Sequence, residues 1–192
     1  MIPKFKAEYP LIDIRLRLSD RALDITGEGL DIAFFLGLPK DSTLKVRKIA
    51  DCPRVLCAAP AYVANKGWPT SPDELVDGTH DCLNLRYPGA PEFQWPLETP
   101  DGTKKYPVKG PFESDDGDVL TSWALEGHGI VLKPEFEVRE HLESGALVPV
   151  LDAHTPISIQ LGCLYSHRRL QDPKARLFID FLAKPIAKAV EV

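Results

Sequence analysis

L-S-D-R-A-L-D-I-T-G-E-G-L-D-I-A-F-F-L-G, residues Leu18 to Gly37, carries two periods in succession, and the rest of the chain is read outward from it. Between Arg21 and Glu28 the apolar Ala22, Leu23 and Ile25 fall on one face of a short helix, with Ser19 or Asp20 placed to accept from its first free amides. Gly27 and Gly29 end that helix. Ile32 to Leu36 is then an unbroken apolar run of the kind that fills a strand buried on both faces, which implies a parallel sheet. Ligands of open parallel sheets bind beyond the carboxyl ends of the strands, so Phe35, Leu36, Gly37 and Leu38 are expected at the rim of a site.

Upstream, Leu11 to Leu18 alternates strictly, with Asp13, Arg15 and Arg17 on one face and Ile12, Ile14 and Leu16 on the other, the pattern of a strand with one covered face. Ile2, Phe5 and Tyr9 recur at helical spacing before Pro10, so the chain is expected to begin inside a helix, with a piece missing before it. Downstream, strands are expected over residues 44–50 and 54–59, the second stopped by Pro60, followed by broken helical pieces to residue 78. Cys82 to Arg86 reads as a short strand, and Tyr87 to Gly110 as a hairpin turning at Asp101-Gly102. A helix from Gly117 to Glu126 has Asp115 and Asp116 at its amino end and the break Gly127-His128-Gly129 at its close. Strands at 130–132, 147–151 and 157–165 and helices at 135–143 and 173–190 complete the pattern, with Pro185 expected to kink or split the last helix.

Alternating strands and helices specify an α/β protein, and the long insertion between the first strands and the last specifies a second lobe. The boundaries are set at 1–59 plus 164–192 for the first lobe and 60–163 for the second. With 192 residues and a hydrophobic content of 44%, the chain can bury a core. Its net charge of -5, with no basic cluster longer than Arg168-Arg169, disfavours a nucleic-acid duplex as the direct partner of this segment. No apolar run is long enough to span a membrane and the start lacks a signal-peptide core, so a cytoplasmic location is expected. Cys52, Cys57, Cys82 and Cys163 are widely spaced with no C-x-x-C pair, which favours reduced packing cysteines over a metal site, and no cofactor motif is present.

Five segments in order then identify a family: S-D-R-A-L-D-I-x-x-E-G-L-D-I-A, V-L-C-A-A-P-A-Y-V, A-L-E-G-H-G-I-V-L-K-P, L-x-S-G-A-L-V-P-V-L and R-R-L-Q-D-P-K-A-R-L-F-I-D-F-L. Together they resemble the effector-binding domain of LysR-type transcriptional regulators over nearly the whole chain. The resemblance implies a two-lobed fold like that of type 2 periplasmic binding proteins, each lobe a mostly parallel sheet flanked by helices, with a small-molecule effector held in the cleft. It implies a homodimer or tetramer, no enzymatic activity, and DNA contact only through an amino-terminal winged helix-turn-helix absent from this sequence. It also implies that the domain's own first strand precedes Met1, which would leave flanking strands with unpaired backbone groups.

Set on that family, the effector-binding candidates are Ser19, Phe35, Leu36, Gly37, Leu38, Arg86, Tyr87, Asp115, Asp116 and His128. Ser19 is either a contact to the effector or a plain helix cap. Many relatives have Arg where Phe35 stands, so an anionic ligand loses that partner here, and Phe35 is alternatively core. Asp115 and Asp116 either meet a ligand amine or hydroxyl or only complement a helix dipole. Arg86 and Tyr87 either clamp a carboxylate and stack on a ring or lie on the surface, and His128 either reaches the ligand or merely ends a helix. Lys133 is expected to be exposed. Two other classes fit the sequence less well: a free-standing solute-binding protein of the same fold, which would need an export signal, and an enzyme, for which no G-x-S-x-G motif, metal-ligand spacing or nucleophile with paired His is present.

Overall fold

The computed structural model describes residues 1–19, 27, 29–37, 45–86, 94–165 and 172–191. They fold as two compact units, Met1–Cys52 with Ile159–Val192 and Pro53–Ser158. These boundaries differ from those set on the sequence because hydrogen bonding assigns the strands: Arg54–Ala58 pairs only within the second unit, and Ile159–Tyr165 lies between two strands of the first.

In the first unit, helix α1 (Ile2–Glu8) has Pro3 in its first turn, where the missing amide costs nothing. Phe5 is fully buried, its ring edge-on to Phe178 and Phe181 at centroid distances of 4.9 and 5.3 Å. Residues 11–18 form no strand, contrary to the alternating pattern; Leu11 is 94% and Leu18 83% exposed. Alternation fixes which side chains share a face, but a strand also needs a neighbour to take its amides and carbonyls, and no described strand lies beside this one. The helix expected over 21–28 falls outside the described residues apart from Gly27.

The sheet of this unit consists of β1 (Ile32–Gly37), β2 (Lys45–Cys52) and β10 (Ile159–Tyr165), in the order β1-β10-β2, with both pairings antiparallel. The expectation for β1 is therefore corrected: it is a half-buried strand, last in the order of the described strands, in an antiparallel sheet rather than one covered on both faces inside a parallel sheet. An apolar run does not specify direction, and the partner comes from the far end of the chain running the opposite way. Phe34 faces Phe178 of helix α5 (Pro173–Val190), with ring centroids 6.5 Å apart. Phe35 lies over Gly162, the residue opposite it on β10, so closely that a Cβ there would stand 2.6 Å from the ring. Helix α5 continues through Pro185 without splitting, and its buried stripe of Ala175, Ile179, Leu182 and Ala183 closes the core with Cys163 and Tyr165.

The second unit is built on a five-stranded mixed sheet of β3 (Arg54–Ala58), β4 (Cys82–Leu85), β7 (Phe112–Ser114), β8 (Ile130–Pro134) and β9 (Val148–Pro149), in the order β7-β4-β8-β3-β9. β7, β4 and β8 are parallel, whereas β3 runs antiparallel to both β8 and β9. The α/β class therefore stands, but the sheets are mixed and antiparallel rather than mostly parallel. Side chains alternate across this sheet as the pleat requires. Leu56, Ala58, Cys82 and Ile130 face one core with Tyr62 of helix α2 (Pro60–Lys66), Leu75 and the hairpin residues Trp95, Leu97 and Tyr106. Cys57, Leu83 and Val131 face the other, covered by Leu120 and Ala124 of helix α3 (Gly117–Leu125) and Val138 of helix α4 (Glu135–Glu143). The hairpin of β5 (Trp95–Thr99) and β6 (Gly102–Tyr106) turns at Asp101-Gly102 as expected, with Gly102 at a φ of +105° that favours glycine.

All four cysteines are buried free thiols. Burial pushes the thiols of Cys57, Cys82 and Cys163 up to about 12, since a thiolate is costly away from water. In the unfolded chain these groups ionise near their ordinary value, so the stability they contribute is full below about pH 9 and is lost as pH rises toward 12. The urea midpoint is accordingly expected to fall between pH 8 and pH 10.5, and a thiol reagent at pH 8 should label all four cysteines only after unfolding. Rapid labelling of the native chain would contradict this burial. Among the described residues, no helix is long and apolar enough to cross a membrane.

Candidate functional site

β7, β4 and β8 all end at the same edge of the second unit's sheet, and the polar residues following them are thereby gathered. The Arg86 amide donates to the Ser114 carbonyl at 2.7 Å, continuing the β4–β7 ladder by one residue. Its guanidinium donates to both carboxylate oxygens of Glu113, at 3.0 and 3.1 Å, and both partners are exposed. Asp115 and Asp116 follow β7 directly and lead into α3. The Asp116 carboxylate accepts from the amides of Asp118 and Val119 at 2.9 and 3.3 Å, while its own amide donates to the Ser114 hydroxyl at 3.1 Å. Asp116 is thus a formed helix cap, and it is also exposed beside Arg86's strand end. Asp116→Ala is expected to cost about 1 kcal/mol through loss of the cap, read as a lowered urea midpoint. An unchanged midpoint would show that water replaces the cap at no cost.

His128 is not gathered with them. It precedes β8, at the amino end of the strands, where its Nε2 lies 3.2 Å from the Glu126 carboxylate and its ring 5.5 Å from that of Phe112. Arg86, Asp115 and Asp116 stand at the opposite end of the same sheet. In the first unit, Phe35, Leu36 and Gly37 end β1; Leu36 is 39% exposed, and Gly37 has a φ of +146°, a conformation that other residues rarely adopt. Ser19 is exposed and outside any helix or strand. Leu38 and Tyr87 lie outside the described residues.

Three residues outside the sequence-derived candidates are polar side chains with buried atoms. Lys133, expected at the surface, is 6% exposed. The pleat turns it to the α3–α4 side, where its ammonium pairs with Glu137 in the first turn of α4 and donates to the Gly117 carbonyl at 3.2 Å, tying β8 to the start of α3. Arg54 begins β3, and its Nε donates to the Ile157 carbonyl at 2.7 Å. Desolvation lowers the Arg54 guanidinium to about 10, and its buried Nη2 has no hydrogen-bond partner among the described residues. Asn84 is 3% exposed on β4, with a buried side-chain carbonyl that likewise has no partner among the described residues. The signal for Asn84 was present in C-L-N-L, a lone amide inside an apolar run, and Arg54 follows Cys52-Pro53 as the first residue of its strand.

The described residues thus form an α/β chain of two units with mixed sheets, and polar side chains stand beyond the carboxyl ends of the second unit's parallel strands, the place where α/β sheets hold ligands. Residues 1–185 match the LysR substrate binding domain model, and the chain belongs to that family. It is 31% identical over 182 residues to the HTH-type transcriptional regulator DmlR of Escherichia coli, covering 94% of this chain and 58% of DmlR. Among solved structures it resembles full-length AphB, the Vibrio cholerae virulence activator, with 35% identity and a TM-score of 0.77 over 95% of this chain and 61% of AphB. It also resembles the regulatory domain of CrgA from Neisseria meningitidis, with 30% identity and a TM-score of 0.79 over 96% of this chain and 89% of that domain. These relatives are named transcriptional regulators, not enzymes, and the chain spans about three-fifths of the length of DmlR and of AphB.

Proposed function

We propose that this chain is the effector-sensing and oligomerisation domain of a LysR-type transcriptional regulator. A small metabolite, held between the two units as the family resemblance implies, shifts the balance between two arrangements and so controls DNA binding by a winged helix-turn-helix domain, in the cytoplasm. Such control requires different affinities of the metabolite for the two arrangements. The observation that carries this reading is the gathering of Arg86, Asp115 and Asp116 at one end of the second unit's sheet, within a chain that matches the family along 1–185. Phe35 to Leu38 of the first unit are the proposed complementary contacts. The test is calorimetry of the chain against a broad panel of metabolites, with sedimentation at several concentrations. Saturable binding of one chemical class and a dimer or larger species are expected; absence of binding across the panel would defeat the sensing role, and a monomer at every concentration the oligomeric one.

A further inference from the structure

The chain passes between its two units twice, at Cys52–Pro53 and at Ser158–Ile159. On the first unit's side these passages are paired strands, β2 and β10, whose ladder ends with Cys52 opposite Ile159. Pro53 comes next and has no amide to donate, so the ladder stops there. Counting on in the same antiparallel register sets Arg54 opposite Ile157. Their backbones are given to other partners. Arg54 pairs with Pro134 of β8, the Pro53 carbonyl accepts from the Glu135 amide at 2.9 Å, and the Ile157 amide donates to the Pro96 carbonyl at 3.1 Å. The next rung is made by a side chain instead, with Arg54 Nε donating to the Ile157 carbonyl at 2.7 Å. Among the described residues this is the one hydrogen bond that joins 53–54 to 157–158.

Stability alone does not account for an arginine here. Its guanidinium is taken from water and its buried Nη2 has no partner among the described residues, so holding it in place costs much of what the bond to Ile157 contributes. What the side chain secures is geometry. Two strands bonded to each other act as one connection, whereas two unbonded strands are separate linkers that bend independently. A bond from a charged donor to a backbone carbonyl favours the joined form by about tenfold. We propose that Arg54 is a positioning residue that clasps the two passages into one connection, so that motion between the units is confined to a single pivot at Pro53 and Ser158. The inference goes beyond the effector-sensing reading and requires no metabolite.

The test compares Arg54→Gln with Arg54→Met. Gln places an amide nitrogen the same number of bonds from the backbone as Nε, and Met places a methyl group there, so the two variants differ in the donor and little in volume. Backbone 15N–1H residual dipolar couplings are measured in dilute filamentous phage, and the couplings of each unit are fitted to that unit alone. The parent chain and Arg54→Gln are expected to show one alignment magnitude common to both units. Arg54→Met should lose that equality, with one unit aligned more weakly than the other. Equal magnitudes in Arg54→Met, or unequal ones already in the parent or in Arg54→Gln, overturn the proposal. An Arg54→Met chain that fails to fold also overturns it, because the bond would then serve the fold of the second unit rather than the connection. Calorimetry without binding would defeat the sensing role and leave the clasp standing, and the reverse outcome is equally readable.

Discussion

Gly110→Ala is expected to lower the stability of the second unit by more than about 3 kcal/mol, beyond the usual cost of one added methyl group. A Cβ at Gly110 would stand 1.8 Å from the Cys82 carbonyl oxygen and 2.6 Å from its amide nitrogen, and both atoms are backbone. No rotamer change relieves that contact, so the strand itself must move. Cys82 is fully buried at the start of β4, and its amide donates to the Lys109 carbonyl at 3.0 Å. Displacing Gly110 therefore breaks the entry of β7 beside β4. Gly129 makes the same demand from the other side, where a Cβ would lie 2.6 Å from the Asp81 carbonyl oxygen. β4 is thus admitted between its two parallel neighbours only because glycine stands at both shoulders. Urea unfolding of Gly110→Ala and Gly129→Ala, followed by tryptophan fluorescence, measures the two costs, and the Gly110 variant should be the worse. A midpoint for Gly110→Ala within experimental error of the parent's would show that the close approach is not real.

The second large effect concerns the buried cation. Glu137→Ala is expected to cost about 3 kcal/mol, because it leaves the Lys133 ammonium with little access to water and, among the described residues, only the Gly117 carbonyl as partner. The figure is set at the low end of the range for broken buried pairs because Glu137 itself is 30% exposed and partly screened. Lys133→Met should cost less, since the carboxylate left behind can be hydrated and Gly117 still accepts from the Thr121 hydroxyl at 3.2 Å. Replacing both, as Lys133→Met with Glu137→Leu, should restore most of the loss. A double-mutant cycle by urea unfolding tests this ordering. Equal losses for the two single variants would mean that Lys133 reaches water after all. Because Lys133 anchors the first turn of α3, the same variants should disturb the Asp116 cap more than the β5–β6 hairpin, a difference that hydrogen exchange can read.

Much of the second unit was legible in the sequence. Pro60, the Asp101-Gly102 turn, Asp116 and the Gly127-His128-Gly129 break each act through local backbone chemistry, and each sits where that chemistry predicts. The candidate site was legible in part. Arg86, Asp115 and Asp116 were found because residues at strand ends and helix starts can be located from the pattern alone, and the parallel pairing of β4 with β7 then unites them. His128, which either reaches the ligand or ends a helix, precedes β8 at the amino end of the parallel strands, away from Arg86, Asp115 and Asp116. Asn84, Arg54 and Lys133 were passed over because burial of a polar side chain depends on what packs above it, and no residue's own neighbours in the chain disclose that.

The amino-acid order by itself determined most of the element types, the turns, the family and the two faces of each strand, because backbone preference and side-chain alternation act over a few residues. Only the tertiary structure decided strand direction and partnership: that β10 enters beside β1 antiparallel, that β3 belongs to the second unit, and that Leu11 to Leu18 has no described strand beside it. The physical reason is that a backbone hydrogen bond in a sheet is made with a residue distant in sequence. An apolar run such as Ile32 to Leu36 records that it will be covered, and leaves open by what.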